Sequence, residues 1–382
     1  MKEKYIPILK AKEGEFRAVS LMSSLALENT HLWFDVPQLD EKRRGDLLER
    51  HLPPVESFLN SVAYGMFQAC KGRYVYLDLP RWATNAQTEG GEHVIPFVRN
   101  QLEALGVKVS PAVDVVRWDD PIYVNALSGM RLEVGREFIV RIPIDRDTIE
   151  EMSEEDIFLD RLEDISTRLA FDPGLTPVMM DFGDISAPRH SVSGLLEVSD
   201  RVISLLRRAG FNEIAISGCS LPAFVSTAVK KQNSNGLVLR KEMHVWRDLL
   251  KSNGDFPIIY SDYGIRGPNS KESGGFSSMN GKIRYTIEKE CFIVRGYPLK
   301  QGEKGAQYYD LAQKVVDSGY FRRGFSWGDN QILRCSYGEF KGSSSDWVAI
   351  DTNHHIESVV LEVLEYQRHV AAVKNRSMFS GA

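Results

Sequence analysis

The sequence contains no run of about 18 consecutive apolar residues, which is the length that a membrane-spanning helix needs. The apolar stretch near the amino terminus stops at Leu9, which is too short for the core of a secretory signal peptide. Cysteine is scarce, and no CxxC pair occurs among Cys70, Cys219, Cys291 and Cys335. Scattered cysteines argue against a disulfide framework or a zinc ribbon, and they indicate a reducing, cytoplasmic location.

An excess of positive charge is also absent. Lysine and arginine number 47 against 52 aspartates and glutamates, so the net charge is −5 and the pI is about 6.0. Nucleic acid is therefore not indicated as the main partner, although a local basic patch can be hidden in the average. A hydrophobic content of 43 % in 382 residues suits one large α/β domain with additions, or two domains.

Short apolar segments recur along the chain, and most end on a polar residue followed by proline or glycine. In TPVMMDFGDIS, residues 176–186, three apolar residues precede Asp181 and the chain breaks at Gly183. This pattern is typical of a buried parallel strand with an acid at its carboxyl end. Eight such strands are predicted, at 5–10, 32–37, 74–80, 108–116, 137–143, 176–184, 213–220 and 257–263.

Amphipathic helical patterns lie between most of these strands. Helices are predicted at 15–27, 55–70, 93–105, 121–130, 147–169, 195–208 and 241–252. The polar segment 40–50 is interpreted as a loop. Eight strands alternating with seven helices over about 265 residues predict an α/β fold, a (β/α)8 TIM-like barrel. A doubly wound open sheet is the alternative, and the absence of GxGxxG after the first strand disfavours it.

The pattern changes after the eighth strand. Residues 267–281 are rich in glycine and serine and are interpreted as a lid over the barrel or as an ordinary surface insertion. A β-hairpin is predicted at 282–287 and 291–295, followed by helices at 306–318 and 356–374. Three parts result, namely a barrel core, 1–265, a loop and hairpin insertion, 266–305, and a carboxy-terminal segment that completes the barrel, 306–382.

Stretches near both termini resemble a known family. They are YIPILKAKEGEF near the amino terminus and, near the carboxyl terminus, FSWGD (325–329), Trp347 and TNHHI (352–356). Over nearly the whole chain the sequence resembles the Beta protein family, whose members are encoded mostly by phages, prophages and other bacterial mobile elements. The resemblance implies a setting of phage–host conflict, such as anti-phage defence. It implies no catalytic residues, so candidates must come from the residues alone.

In a (β/α)8 barrel, functional side chains come from the carboxyl ends of the strands and from the loops after them. This rule selects Lys10, Asp35, Asp78, Arg141, Asp181, Ser217 and Asp262, with Arg117 and Asp184 just outside. If the barrel closes, these groups converge on one mouth. Several carboxylates there predict either a divalent cation, Mg²⁺ or Mn²⁺, or an acid–base pair in which one carboxyl stays protonated because of its neighbours.

The candidates divide by role. Those assigned to catalysis, as metal ligands or as acids and bases, are Asp78, Asp181, Asp262, His354 and His355. Those assigned to the substrate, as groups that bind an anion or stack on a ring, are Lys10, Asp35, Arg141, Ser217 and Trp327. Structural roles are the alternative. An aspartate after a strand often caps a turn, and the histidines could decorate the first turn of a helix capped by Asn353.

Two functions are compatible with these residues. The first is a metal-dependent hydrolase that acts on a phosphorylated or nucleotide-like small molecule. The second is a non-catalytic sensor or inhibitor that binds a phage or host protein through the late insertion and the carboxy-terminal segment. A barrel fold does not decide between them. The cofactor, the partner and the oligomeric state stay open at this level.

Overall fold

The computed structural model describes residues 5–70, 72–130, 138–253, 256–270, 280–301 and 305–380. The strands are β1 (Ile6–Lys10), β2 (Leu32–Asp35), β3 (Tyr74–Asp78), β4 (Lys108–Asp114), β5 (Ile139–Pro143), β6 (Val178–Asp184), β7 (Ile214–Cys219), β8 (Ser234–Leu239), β9 (Ile258–Asp262), β10 (Asn280–Ile287) and β11 (Glu290–Pro298).

Helices cover the outside of the strands. They are α1 (Glu13–Ser20), α2 (Ser24–Glu28), α3 (Glu41–Glu49), α4 (Pro54–Cys70), α5 (Val94–Ala104), α6 (Pro121–Ser128), α7 (Arg146–Glu151), α8 (Glu155–Leu169), α9 (Val192–Arg208), α10 (Val225–Ala228), α11 (Lys241–Ser252), α12 (Gln307–Val316), α13 (Trp327–Ser336) and α14 (Ser344–Ser380). A 3-10 helix, Val115–Asp119, follows β4. Among the described helices, none has the length and apolar character to cross a membrane.

Eight parallel strands close into a barrel in the order β1-β2-β3-β4-β5-β6-β7-β9. The predicted TIM-like barrel is therefore confirmed, and the open sheet is wrong. β9 closes the ring against β1, where Ile6 lies opposite Ser261 and Pro7 lies opposite Asp262. Each predicted strand corresponds to one barrel strand, although Glu137, at the start of the predicted fifth strand, lies outside the described residues.

A second, smaller sheet follows the barrel. β10 and β11 form the predicted hairpin, and β8 adds to β11 in an antiparallel arrangement, so the order is β10-β11-β8. β8 was not expected from the sequence. Its residues alternate between half-buried and exposed, and both Leu237 and Leu239 are exposed. An edge strand of this kind lacks the continuous apolar run that marks the barrel strands.

Several helix predictions need correction. The polar segment 40–50 is not a loop, because Asp40 accepts a hydrogen bond from the Arg43 amide (2.9 Å) and caps α3. The predicted helix 15–27 is divided into α1 and α2, with Ser23 capping the second. The predicted helix 147–169 is likewise divided into α7 and α8.

The last helix is longer than the sequence pattern predicts. α14 contains 37 residues, so Asn353 lies inside it and does not cap it. The side-chain amide of Asn353, through Nδ2, donates to the carbonyls of Ala18 (3.2 Å) and Leu21 (3.1 Å). These bonds join α14 to the end of α1. The three-part division at 1–265, 266–305 and 306–382 stays a prediction. Most of the predicted lid, residues 271–279, lies outside the described residues.

Candidate functional site

Side chains on the barrel strands alternate between the interior and the helix layer, as strand geometry requires. The interior cluster includes Ile8, Trp33, Tyr76, Ala112, Ile139, Met179, Ala215 and Ile259. Two residues further along each strand, towards its carboxyl end, stand Lys10, Asp35, Asp78, Asp114, Arg141, Asp181, Ser217 and Ser261. The top interior layer is therefore almost entirely polar, and it contains most of the candidates taken from the sequence.

Arg141 lies at the centre of this layer. Its Nη1 donates to Asp78 Oδ2 (2.6 Å) and Asp35 Oδ1 (3.1 Å). Its Nε and Nη2 donate to Asp181 Oδ2 (3.0 and 2.7 Å), and Nη2 also donates to the Tyr263 hydroxyl (2.7 Å). We call these five residues the Arg141 cluster. A guanidinium has five N–H donors, and this one has five such bonds, so no donor is left over for a substrate anion.

The carboxylates of the cluster are also held by groups other than Arg141. The backbone amide of Leu79 donates to Asp78 Oδ1 (2.7 Å), and that of Gly183 donates to Asp181 Oδ1 (2.9 Å). The Gly183 bond requires a turn directly after the strand, where φ is +58°, a value that glycine adopts without strain. The Trp33 indole donates to Asp35 Oδ1 (2.9 Å). These bonds fix the orientation of each carboxylate.

Burial, reinforced by the charge of Asp78, raises the pKa of two carboxyl groups in this layer. Burial raises the pKa of Asp35 to about 6, with Arg141 opposing this effect and Asp78 reinforcing it. Burial and the charge of Asp78 also raise the pKa of Asp114 to about 6. Burial alone would lower the pKa of Arg141, but the carboxylates outweigh it and hold that pKa well above its usual range. The mouth thus combines a permanent cation with carboxyls that exchange protons near neutrality.

Ser217 lies beside Asp181 on the neighbouring strand and is completely buried. Its hydroxyl makes no hydrogen bond within the described part of the chain. A buried hydroxyl without a partner carries a desolvation penalty that a ligand or water at this position would relieve.

The segment after β9 crosses the mouth. The side-chain Nδ2 of Asn269 donates to Asp184 Oδ2 (3.1 Å) at the end of β6. Lys10 Nζ, at the end of β1, donates to the Ser270 hydroxyl (2.7 Å) and carbonyl (3.0 Å). Arg81, after β3, donates to a backbone carbonyl of the same segment. Contacts with three separated strand ends hold the described residues of this segment across the barrel mouth, and the lid stays a prediction.

Asp262 belongs to a different cluster, because it follows the inward-facing Ser261 and points to the helix layer. Its Oδ1 accepts from the Tyr5 hydroxyl (2.5 Å), and its Oδ2 accepts from the Tyr260 hydroxyl (2.9 Å) and His355 Nε2 (3.0 Å). Burial alone would raise the pKa of Asp262, but His355, Arg240 and the Tyr5 hydroxyl together lower that pKa to about 2. The structure does not bring Asp262 together with Asp78 and Asp181.

The two histidines also lie outside the mouth. His354 Nδ1 contacts Asp329 Oδ2 (2.9 Å), and its Nε2 contacts the Thr286 carbonyl (2.8 Å). The His354 ring stacks on Tyr285 with the centroids 3.8 Å apart. His355 bonds the Thr286 hydroxyl (2.7 Å) in addition to its carboxylate partner. His354 therefore joins α14 to α13 and β10, and His355 joins α14 to β10 and the barrel wall.

The remaining candidates lie at the periphery. Trp327, at the start of α13, stacks under the Arg17 guanidinium, which lies 5.2 Å from the ring centroid. Arg117 donates to the carbonyls of Leu79 and Trp82 (both 3.1 Å) and so holds the loop after β3. Neither residue touches the Arg141 cluster.

The expected Mg²⁺ or Mn²⁺ does not fit the residues present. Within the described ranges, no three carboxylate, imidazole or thiolate groups converge in a geometry that could hold a metal ion. The Arg141 guanidinium takes the position between the carboxylates that a cation would need. The arrangement suits proton transfer by carboxyl groups.

Three residues were not identified from the sequence, namely Asp114 and Ser261 of this layer and Tyr263 of the Arg141 cluster. Asp114 is the last residue of β4, but the predicted strand continued two residues beyond it. Tyr263 directly follows Asp262, the acid at the end of the eighth predicted strand. For each of these residues, the residue two positions earlier also faces the barrel interior. This relation identifies them only when the direction of one side chain in the strand is already known.

The sequence matches the Beta protein family over residues 5–361, a range that includes the whole Arg141 cluster. No curated protein matches the sequence. The match covers nearly all of the barrel, the second sheet and the first half of α14, and it agrees with the resemblance carried by the residues near both termini. The chain therefore belongs to the Beta protein family.

Proposed function

We propose that the chain is a hydrolase that works by acid–base catalysis at the Arg141 cluster, on a phosphorylated or nucleotide-like small molecule. The observation that supports this most directly is the raised pKa of Asp35, about 6, in a layer of carboxylates at the carboxyl end of the barrel. A carboxyl with such a pKa carries its proton in an appreciable fraction of molecules near neutrality and can both donate and accept it.

Asp35 is the proton-transferring group in this proposal, because it keeps the most solvent access. Its side chain is 16 % exposed, compared with 0 % for Asp78 and 5 % for Asp181. The protonated carboxyl gives its proton to the leaving oxygen, and the resulting carboxylate takes a proton from the attacking water. Water is thus divided between the two products. Asp78 and Asp181 are positioning residues that hold Arg141, whose charge favours the ionised form of Asp35.

The first test is Asp35→Asn, which keeps the shape and removes the exchangeable proton. We expect hydrolysis of nucleoside triphosphates or other phosphorylated substrates to fall by about 100-fold to 10,000-fold, the usual contribution of a general acid or base. The melting temperature should change little. Asp160→Asn is the matched control, because Asp160 is exposed on α8. Full activity of Asp35→Asn would contradict the assignment.

Phage–host conflict is the proposed setting, supported by membership of the family and by nothing in the geometry. Cells that express the chain should restrict plating of at least one phage. Loss of restriction in cells carrying Asp35→Asn would connect the setting to catalysis.

A non-catalytic sensor or inhibitor that binds a phage or host protein is the second candidate. The observation that favours it is the saturation of Arg141, since a guanidinium with all five donors in use resembles a structural centre as much as a catalytic one. Restriction that is undiminished by Asp35→Asn would favour this candidate over the hydrolase.

A further inference from the structure

A cavity of about 1370 Å³ opens beside the barrel mouth. Its walls come from α1, α3, α4, the loop after β7, the segment after β9, β10 and the start of α14. Ser270, which accepts from Lys10 at the mouth, is also part of this wall. The volume exceeds the usual range of about 300–1,000 Å³ for small-molecule sites, so a ligand of nucleotide size fits.

The wall of this cavity is basic although the chain as a whole is acidic. Among the described lining residues, seven are lysine or arginine and three are aspartate or glutamate, an excess of four positive charges. The complete chain has a net charge of −5. A concave surface that concentrates one sign of charge attracts ligands of the opposite sign. This is the local basic patch that the overall composition conceals.

Lys282 is a cation of this wall that forms no salt bridge with any described residue. It lies on β10 and is half-buried. Burial and the charges of Arg284 and Arg266 outweigh the opposing charge of Asp351 and lower the pKa of Lys282 to about 8. Arg284 is already bound to Asp351 through Nε (3.0 Å). A ligand anion beside Lys282 would offset this concentration of like charge.

Arg43 supplies a second cation on another wall. It is exposed and donates to the neutral Ser61 hydroxyl (2.8 Å), while its guanidinium lies 4.8 Å from the centre of the Phe58 ring. None of these contacts neutralises its charge. Arg43 therefore remains able to bind one end of an anionic ligand.

The Glu15 carboxylate indicates that the ligand also carries a hydrogen-bond donor. It is 2 % exposed, and its Oε1 accepts from Arg266 Nη1 (3.3 Å). Its Oε2 has no hydrogen-bond partner within the described residues, although Glu15 belongs to the cavity wall. A buried carboxylate oxygen without a partner carries a large desolvation penalty. A hydroxyl or amino group on the ligand would satisfy it.

We propose that this cavity binds a phosphorylated small molecule that also carries hydroxyl or amino groups, as a nucleotide does. The phosphates contact Lys282 and Arg43, and a donor group of the ligand contacts Glu15 Oε2. The proposal rests on the proposed function for the view that the ligand is a substrate. Binding itself requires none of the carboxylates of the Arg141 cluster.

Calorimetric titration of the full chain with ATP, and separately with inorganic tripolyphosphate, tests this. We expect both to bind, and ATP to bind more tightly than tripolyphosphate because only ATP has donors for Glu15. Lys282→Met should weaken both by about 10-fold to 100-fold, the usual value of a hydrogen bond to a charged group. Glu15→Gln should weaken ATP alone. Arg207→Met, on α9 and outside the cavity wall, is the matched control and should change neither.

Absence of binding by both probes to the natural chain would overturn the proposal, as would equal affinities of the Lys282→Met variant and the natural chain. If Glu15→Gln fails to fold, the comparison of ATP with tripolyphosphate on the natural chain still tests the role of Glu15. Equal affinities there would overturn that role. Asp35→Asn separates the two proposals, because it should lower turnover by about 100-fold to 10,000-fold and leave ATP affinity intact. ATP that binds the natural chain without turnover would contradict the hydrolase and support the cavity site.

Discussion

Arg141 shows how much a single buried residue can organise. It lies among Asp35, Asp78 and Asp181, which come from three separate strands, and its guanidinium donates hydrogen bonds to all three. Removing one partner from a buried ion pair typically costs about 3–5 kcal/mol, because the other charge is left without compensation. Burial raises the pKa of Asp35, the most exposed of these carboxyls, and Arg141 opposes the rise, so the structural role of Arg141 and the proposed chemistry of Asp35 come from one arrangement.

The raised pKa of Asp114 in this layer should make the unfolding free energy depend on pH. The pKa of Asp114 is about 6 in the folded chain, against an ordinary value of 3.8. The folded state therefore holds a proton that the unfolded state has already lost, so the Asp114 contribution to the unfolding free energy is present below about pH 3.8 and disappears as the pH rises towards 6. We expect Asp114→Asn to flatten the fall in unfolding free energy across this window.

Denaturant titrations of the natural chain and of Asp114→Asn at a series of pH values measure this difference. Asp160→Asn is the control, since Asp160 is exposed on α8. An unchanged slope in Asp114→Asn would mean that Asp114 is ionised throughout the window.

At the scale of elements, α14 connects parts of the molecule that are far apart in the sequence. Its Asn353 bonds the end of α1, its Asp351 bonds Arg284 on β10, and its His355 bonds Asp262 on the barrel wall. These partners are buried, and the hydrogen bonds between them require specific distances and angles. The helix therefore has one position on the barrel and is not free to slide.

The contact between α13 and α14 allows a sharp prediction. A Cβ added at Gly328 would lie 2.5 Å from the Ile350 carbonyl oxygen, which is backbone and cannot rotate away. We expect Gly328→Ala to lower the unfolding free energy by about 1–3 kcal/mol, as overpacking typically does. Gly45→Ala is the matched control, because no atom lies within 4 Å of its added Cβ.

Gly45 lies inside α3, so its replacement by alanine should stabilise the chain by about 0.5–1 kcal/mol through helix propensity. Denaturant unfolding of both variants gives the two free energies. Opposite signs are expected, and a neutral Gly328→Ala would show that α13 and α14 are not in tight contact.

For the whole molecule, the described part of the segment after β9 lies across the barrel mouth. It is tied to the β1 end by the bonds between Lys10 and Ser270, and to the β6 end by Asn269. We expect Lys10→Met to accelerate amide hydrogen exchange in residues 266–270, because the segment then opens more often. Lys251→Met, exposed on α11, is the control. Exchange that is unchanged in Lys10→Met would show that Lys10 does not hold the lid.

The eight barrel strands and most helices were predictable because their signals are local. An apolar run with an acid at its tip and a glycine beyond it describes a buried parallel strand without reference to the rest of the chain. Asp78, Asp181 and Arg141 were identified on the same basis. Their convergence followed once the number of strands indicated a closed barrel, because the carboxyl ends of parallel strands gather at one end.

Other features depend on contacts that no local pattern encodes. Asp181 faces the interior and Asp262 faces the helix layer, yet both look alike in the sequence, because barrel strands are buried on both faces and show no alternation of apolar and polar residues. The position of the histidines inside α14, and the attachment of β8 to the hairpin, likewise arise from packing between distant segments. The sequence alone therefore specified which side chains lie at strand ends. Only the closed barrel decided which of them face the interior and contact one another.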